Sequence, residues 1–120
     1  MGKYLPKGNY LSTSKEVNIN LFCEAKQRNK AWVPASLNIT ELNKANIANM
    51  DGYLINDAGS APTHDFIPGG SYEITARNMT VILSACCQKN DLTWNWSTLN
   101  ITYLDRNKTV SNKDGNLIID

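Results

Sequence analysis

The residues best suited to chemistry in this chain are two copies of Asn-x-Asp-Gly, Asn49-Met50-Asp51-Gly52 and Asn112-Lys113-Asp114-Gly115. Each copy sets a carboxylate acceptor beside a side-chain amide, on a tight turn where glycine supplies positive φ and aspartate tolerates it. An acceptor beside an amide donor suits a neutral polar ligand. It also suits a plain hairpin turn, the commoner use of an Asp-Gly step. Catalysis has less support. A glycosidase holds two carboxyl groups roughly 5 to 9.5 Å apart across one bond, whereas Asp51 and Asp114 occupy equivalent places in two repeats and are expected in different lobes. Nothing beside Cys86-Cys87 argues for a lowered thiolate pKa. His64 is the sole histidine and no Cys-x-x-Cys spacing occurs, so neither a metal nor another cofactor is expected, and the chain does not read as an enzyme.

The two motifs belong to a larger duplication. Residues 1–57 and 63–120 overlay with one single-residue gap: Leu37-Asn38-Ile39-Thr40 falls on Leu99-Asn100-Ile101-Thr102, Trp32 on Trp94, and Gly8, Tyr10 and Thr13 on Gly70, Tyr72 and Thr75. Turn, core and polar positions recur together, as in a duplicated structural unit. A chain of 120 residues suits one domain, and a half of that length would be marginal alone, so the halves are expected to share a core. Net charge is +1 with both signs scattered, which offers no basic stripe for nucleic acid and no cationic amphipathic segment for a membrane surface. No apolar run approaches the roughly 20 residues that cross a bilayer, and Met1-Gly2-Lys3 opens no apolar signal stretch. Asparagine fills 16 of 120 positions, which favours turns and a surface of neutral hydrogen-bonding groups over long helices.

The elements that must position the motifs follow from alternation. Val17, Ile19, Leu21, Cys23 and Ala25 share one face of a half-buried strand, and Met79, Val81, Leu83, Ala85 and Cys87 share the same face of its repeat. Cys23 and Cys87 then act as small core residues, while Cys86 points outward as the one reactive thiol. Trp32 and Trp94 are expected in the core, and one short helical turn is expected at Leu37–Leu42 and at Leu99–Leu104. The Gly- and Pro-rich stretch 58–70 reads as a linker or hinge, which permits domain swapping of an otherwise monomeric chain into a dimer.

The ordered, duplicated set of Gly8-Asn9-Tyr10-Leu11-Ser12-Thr13, the alternating strand, Leu37-Asn38-Ile39-Thr40 and Ile47-Ala48-Asn49-Met50-Asp51-Gly52-Tyr53-Leu54 resembles the cyanovirin-N homology family over almost the whole chain. The resemblance implies an all-β, pseudo-symmetric tandem-repeat fold, two lobes of three-stranded sheet plus hairpin with short helical turns. It implies lobes of about residues 1–42 with 108–120 and about 43–107. It also implies lectin sites for terminal α(1→2)-linked mannose of high-mannose glycans, with oligomannose glycoproteins as partners. One site would combine Asn9, Ser12 and Thr13 with Lys26 and Arg28 and with Asn112, Lys113 and Asp114. The other would combine Asn49 and Asp51 with Ser71 and Thr75 and with Gln88, Lys89 and Asn90; Ala48 and Ile74 stand there where family members often carry acidic residues. In the founding type, disulfides bridge within each repeat the positions that here are Ser14 with Ala25 and Ala76 with Cys87, so neither pair survives. The alternative reading keeps the fold as a structural or protein-interaction module without sugar affinity. Five Asn-x-Ser/Thr sequons, at Asn38, Asn78, Asn95, Asn100 and Asn107, would carry glycans in a secretory setting.

Overall fold

Strict alternation does build the two longest strands of the computed structural model, which describes residues 2–120. Strand β1 (Ser14–Lys26) buries Ile19, Leu21, Cys23 and Ala25, and β5 (Ala76–Gln88) buries Val81, Leu83, Ala85 and Cys87 on its matching face. The two strands pair antiparallel with each other, across the repeats. Each also pairs with the next strand of its own repeat, β2 (Trp32–Asn38) on β1 and β6 (Trp94–Asn100) on β5, giving one sheet of order β2-β1-β5-β6. Glu16 and Asn78, at φ 53° and 56°, mark bulges where the β1–β5 register shifts. Both ends of the sheet are three-stranded, because the first residues of β1 lie beside the end of β5 and the first residues of β5 beside the end of β1.

A helical turn precedes each long strand: α1 (Tyr10–Thr13) and α2 (Tyr72–Thr75). Each buries one tyrosine whose hydroxyl donates to a proline carbonyl, Tyr10 to Pro6 at 2.6 Å and Tyr72 to Pro68 at 2.5 Å. Desolvation raises both phenols well above their ordinary pKa, which keeps them neutral donors. Hairpins β3 (Ile47–Met50) with β4 (Tyr53–Asn56) and β7 (Val110–Lys113) with β8 (Asn116–Ile119) turn at the Asp-Gly steps, where Asp51 and Asp114 sit at φ 52° and 49°. The all-β class, the tandem pseudo-symmetry and the hairpins are those the sequence implies, and the short helical turns that the family resemblance implies fall at Tyr10–Thr13 and Tyr72–Thr75.

Several placements differ from expectation. Leu37–Leu42 is a strand end and a turn rather than a helical turn, because Asn38 and Thr40 stop the sheet. The Thr40 hydroxyl donates to Asn38 Oδ1 at 2.6 Å and accepts the Ile19 N–H at 2.8 Å, taking a ladder carbonyl's place. Thr102 repeats the device on Asn100 and Val81. Cys86 lies on the open face, as alternation implies, but is buried rather than accessible: it sits mid-sheet between Lys15 and Trp96, whose side chains can cover it. All three cysteines are free, and burial, then the Glu24 carboxylate, pushes the Cys23 thiol up. Trp32 and Trp94 lie outside the core on the open face, Trp32 under the Arg77 guanidinium at 4.0 Å and Trp94 under the Lys15 ammonium at 4.2 Å. The stretch 58–70 is not one open linker. Phe66, Pro68 and Gly69 are buried as the second repeat's leading segment, equivalent to Tyr4–Lys7, and Arg106 stacks over Phe66 while donating to the carbonyls of Lys3 and Asp65.

The lobes also divide differently from the implied 1–42 with 108–120 and 43–107. Hairpin β7–β8 packs on β6 of its own repeat and on α1 of the other, and β3–β4 packs on β2 and α2 in the same manner.

Glu24 ties this exchange together at one end, accepting from Asn78 Nδ2 at 2.6 Å and Arg77 Nε at 3.2 Å. The Asn78 amide first, then Arg77, hold its carboxyl below the usual glutamate value. A lowered folded-state pKa contributes stability above the unfolded value of about 4.3 and loses it as pH falls through the folded value. Glu24→Gln is therefore expected to flatten the fall in stability on acidification below about pH 5. Urea midpoints measured at intervals from pH 6 to pH 3 check it, and a variant whose acid slope equals the parent's would refute it.

Candidate functional site

Each Asp-Gly turn meets one helical turn and one strand end, and an asparagine pins the three together. At the first end, Asn112 Nδ2 donates to Thr13 Oγ1 at 3.0 Å and to the Gln88 carbonyl at 2.9 Å, while its Oδ1 accepts the Gly115 N–H at 2.9 Å. Asn9 Oδ1 accepts the Asn112 N–H at 3.0 Å. At the second end, Asn49 Nδ2 donates to Thr75 Oγ1 at 3.0 Å and to the Lys26 carbonyl at 2.9 Å, and its Oδ1 accepts the Gly52 N–H at 2.8 Å. Ser71, which replaces Asn9 here, makes no counterpart bond. The glycines of the leading segments allow this closeness. At φ 147° and 146°, a Cβ on Gly8 would fall 1.8 Å from the Val110 carbonyl oxygen, and one on Gly70 2.2 Å from that of Ile47.

The aspartates face outward with one oxygen fixed. Asp114 Oδ1 accepts the Asn90 N–H and Asp51 Oδ1 accepts the Arg28 N–H, both at 2.8 Å. The second carboxylate oxygen of each has no protein partner among the described residues. Around Asp51 the residues enclose a cleft of about 240 Å³ lined by Lys26, Gln27, Arg28, Asn49, Met50 and Thr75. Two cations, a glutamine amide, a threonine hydroxyl and a carboxylate therefore surround a space smaller than the roughly 300–1,000 Å³ of drug-sized sites. The rims differ. Ile74, 87% exposed, and Met50 border the second end where Ser12 and Lys113 border the first.

The residues expected at the two sites are all at the ends of the sheet, but the strand ends are exchanged. Asn9, Ser12, Thr13, Asn112, Lys113 and Asp114 meet Gln88, Lys89 and Asn90, not Lys26 and Arg28. Lys26 and Arg28 instead join Asn49, Asp51 and Thr75, while Ser71 stands at the start of α2 and does not line that cleft. The cause is β1 itself. Its 13 residues run on without a turn, so Thr13 and Lys26 are separated by roughly 40 Å at about 3.3 Å per residue. Gln27 and Met50 also line the second cleft and were not singled out from sequence, although each lies between residues that were. Among the described residues no group of three or more His, Cys, Asp or Glu could hold a metal ion.

An all-β chain with a polar cleft beside an Asp-Gly turn is thus the class that fold and site define. No protein-family model and no curated protein matches the chain. Among solved structures, it is similar to a designed cyanovirin-N homolog lectin determined by NMR, at 16% identity over 94% of this chain and 100% of that one, with a TM-score of 0.20. A likeness that weak bears on neither fold nor function, and the family resemblance rests on the duplicated residues themselves.

Proposed function

We propose that this chain is a non-catalytic lectin that holds terminal α(1→2)-linked mannose of high-mannose glycans at the two ends of its sheet, without a metal. The observation that carries the reading is the half-used aspartate at each end. One oxygen of Asp51 or Asp114 is spent on a strand-end N–H, which fixes the carboxylate and leaves its second oxygen to accept from a hydroxyl. Beside Asp51, the Gln27 amide, Thr75 and the two cations supply donors for the hydroxyl's other role. The two Asp-Gly turns lie at opposite ends of a body 52 Å long, so a glycoprotein bearing several arms would engage both, with avidity of about 10² to 10⁴ over one contact.

An amide ¹H–¹⁵N titration with α(1→2)-mannobiose, with the α(1→6) isomer as control, tests this. Shifts are expected in two sets, Ser12 and Thr13 with Gln88–Asn90 and Asn112–Gly115, and Lys26–Arg28 with Asn49–Gly52 and Thr75. Asp114→Asn should silence the first set alone and Asp51→Asn the second alone. A spectrum unmoved at millimolar sugar overturns the lectin reading. It would favour a protein-interaction module, which the exposed Met50, Tyr53 and Ile74 at one end support.

A further inference from the structure

The internal repeat supplies its own comparison, and the fastening of the hairpin is one place where the two copies differ. In the second repeat the hairpin is fastened to β6: Asn95 Nδ2 donates to the Gly115 carbonyl at 2.8 Å, and Ser97 Oγ accepts the Leu117 N–H at 3.0 Å. The equivalent positions of the first repeat are Val33 and Ala35, which carry no polar group to make either bond. Between β2 and hairpin β3–β4 there is instead a groove of about 410 Å³, lined by Val33, Pro34, Ala35, Tyr53 and Leu54 and reaching Gln27 and Gly52. Gln27 lines both this groove and the Asp51 cleft, so the two are continuous around the turn.

We infer that the groove is an extended glycan subsite, absent from the other end, which takes the pyranose rings following the terminal residue held beside Asp51. This rests on the lectin reading above. A pyranose presents an apolar C–H face and a rim of hydroxyls, and the groove offers a surface for each. Tyr53 is 76% exposed and its ring is free to lie against an apolar sugar face, with Val33 and Ala35 across the groove. The Leu54 N–H and Gly52 carbonyl, whose counterparts Ser97 and Asn95 engage, are left to hydroxyls. The groove lies between two strand edges, a setting that also invites an extended peptide. Pro34 argues against that occupant, because it removes a backbone donor from the β2 edge. Together the cleft and groove reach the size of an ordinary ligand site, whereas the cleft alone does not.

The test compares α(1→2)-mannobiose with the linear α(1→2)-mannotriose, reading each end through its own amides, Gly52 and Arg28 at one and Gly115 and Asn90 at the other. The triose is expected to bind about five- to tenfold more tightly than the biose at the Asp51 end, and equally at the Asp114 end. The double variant Val33→Asn with Ala35→Ser grafts in the fastening of the second repeat and should erase that preference while leaving biose affinity unchanged. Tyr53→Asn, which installs the residue found at Asn116, should do the same without touching the sheet. Equal affinity for both lengths at the Asp51 end of the parent overturns the subsite, as does a preference that survives both variants. So do shifts at Val33–Ser36 on adding an extended apolar peptide that the triose does not produce. Failure of the biose itself at that end is a failure of the lectin reading, which separates the two.

Discussion

Asn112→Ala is expected to cost about 3 kcal/mol of folding stability, or roughly 10 °C in the thermal midpoint. The side chain spends its amide on Thr13 Oγ1 and the Gln88 carbonyl and its oxygen on the Gly115 N–H. Each such bond contributes on the order of 1 kcal/mol net, and truncation leaves its half-buried partners to be satisfied by whatever water can enter. Three elements distant in sequence lose their common pin at once: α1, the end of β5 and the β7–β8 turn. Asn112→Asp should cost at least as much, because a carboxylate would then face the Gln88 and Thr13 carbonyl oxygens that the amide now donates to. The exposed Asn116, two positions beyond Asp114, provides the control, with Asn116→Ala expected within about 0.5 kcal/mol of the parent. Chemical denaturation with far-ultraviolet circular dichroism measures all three. A loss below about 0.5 kcal/mol for Asn112→Ala would mean that the pin is not a structural one.

Ser14→Cys should form a disulfide with Cys87 and stabilise the chain by about 2 to 4 kcal/mol. Ser14 pairs with Cys87 across the sheet, and its hydroxyl oxygen already lies 3.4 Å from the Cys87 sulfur. The closed loop is long, which favours a large entropic gain from tying down the unfolded chain. Ala25 faces Ala76 in the same way, so Ala25→Cys with Ala76→Cys should link as well. The informative control is Ser14→Cys with Ala25→Cys, the within-repeat pair that the family resemblance implies. Those residues sit near opposite ends of β1 and should stay unlinked to each other. Peptide mapping under non-reducing conditions reads the outcome. A 14–25 link in place of a 14–87 link would show that the strands pair within their repeats.

That pairing is also where sequence reading reached its limit. The alternation from Val17 to Ala25 fixes which face of β1 is buried, and the Asp-Gly steps fix both hairpins, because side-chain direction and positive φ are local properties. Strand partners are not local. Ser14 meets Cys87 rather than Ala25 because the chain between them carries no turn, and the absence of Gly or Pro from Ser14 to Lys26 was the available signal. Every residue named for the two candidate sites therefore lies toward one end of the sheet or the other, while Lys26 and Arg28 change places with Gln88, Lys89 and Asn90. Trp32 and Trp94 misled for a different reason. Their matching positions after the inward-facing strands suggest burial, but a cation stacked on the open face shields each instead. Cys86 keeps the face that alternation gives it but not the exposure, because alternation describes one strand at a time and leaves out what its neighbours cover.

The exchanged strands have a consequence in time as well as in space. When the first repeat leaves the ribosome, β1 has β2 to pair with but lacks β5, and α1 lacks the hairpin that completes its end. The Asp51 end cannot close until α2 and the start of β5 have been made, and the Asp114 end waits for nearly the last residue, Ile119 of β8. Pairings between residues some 60 positions apart place such a chain among slow folders, at milliseconds to seconds. During that wait β1 is an unpaired edge, and the β5 it finds first could belong to another molecule.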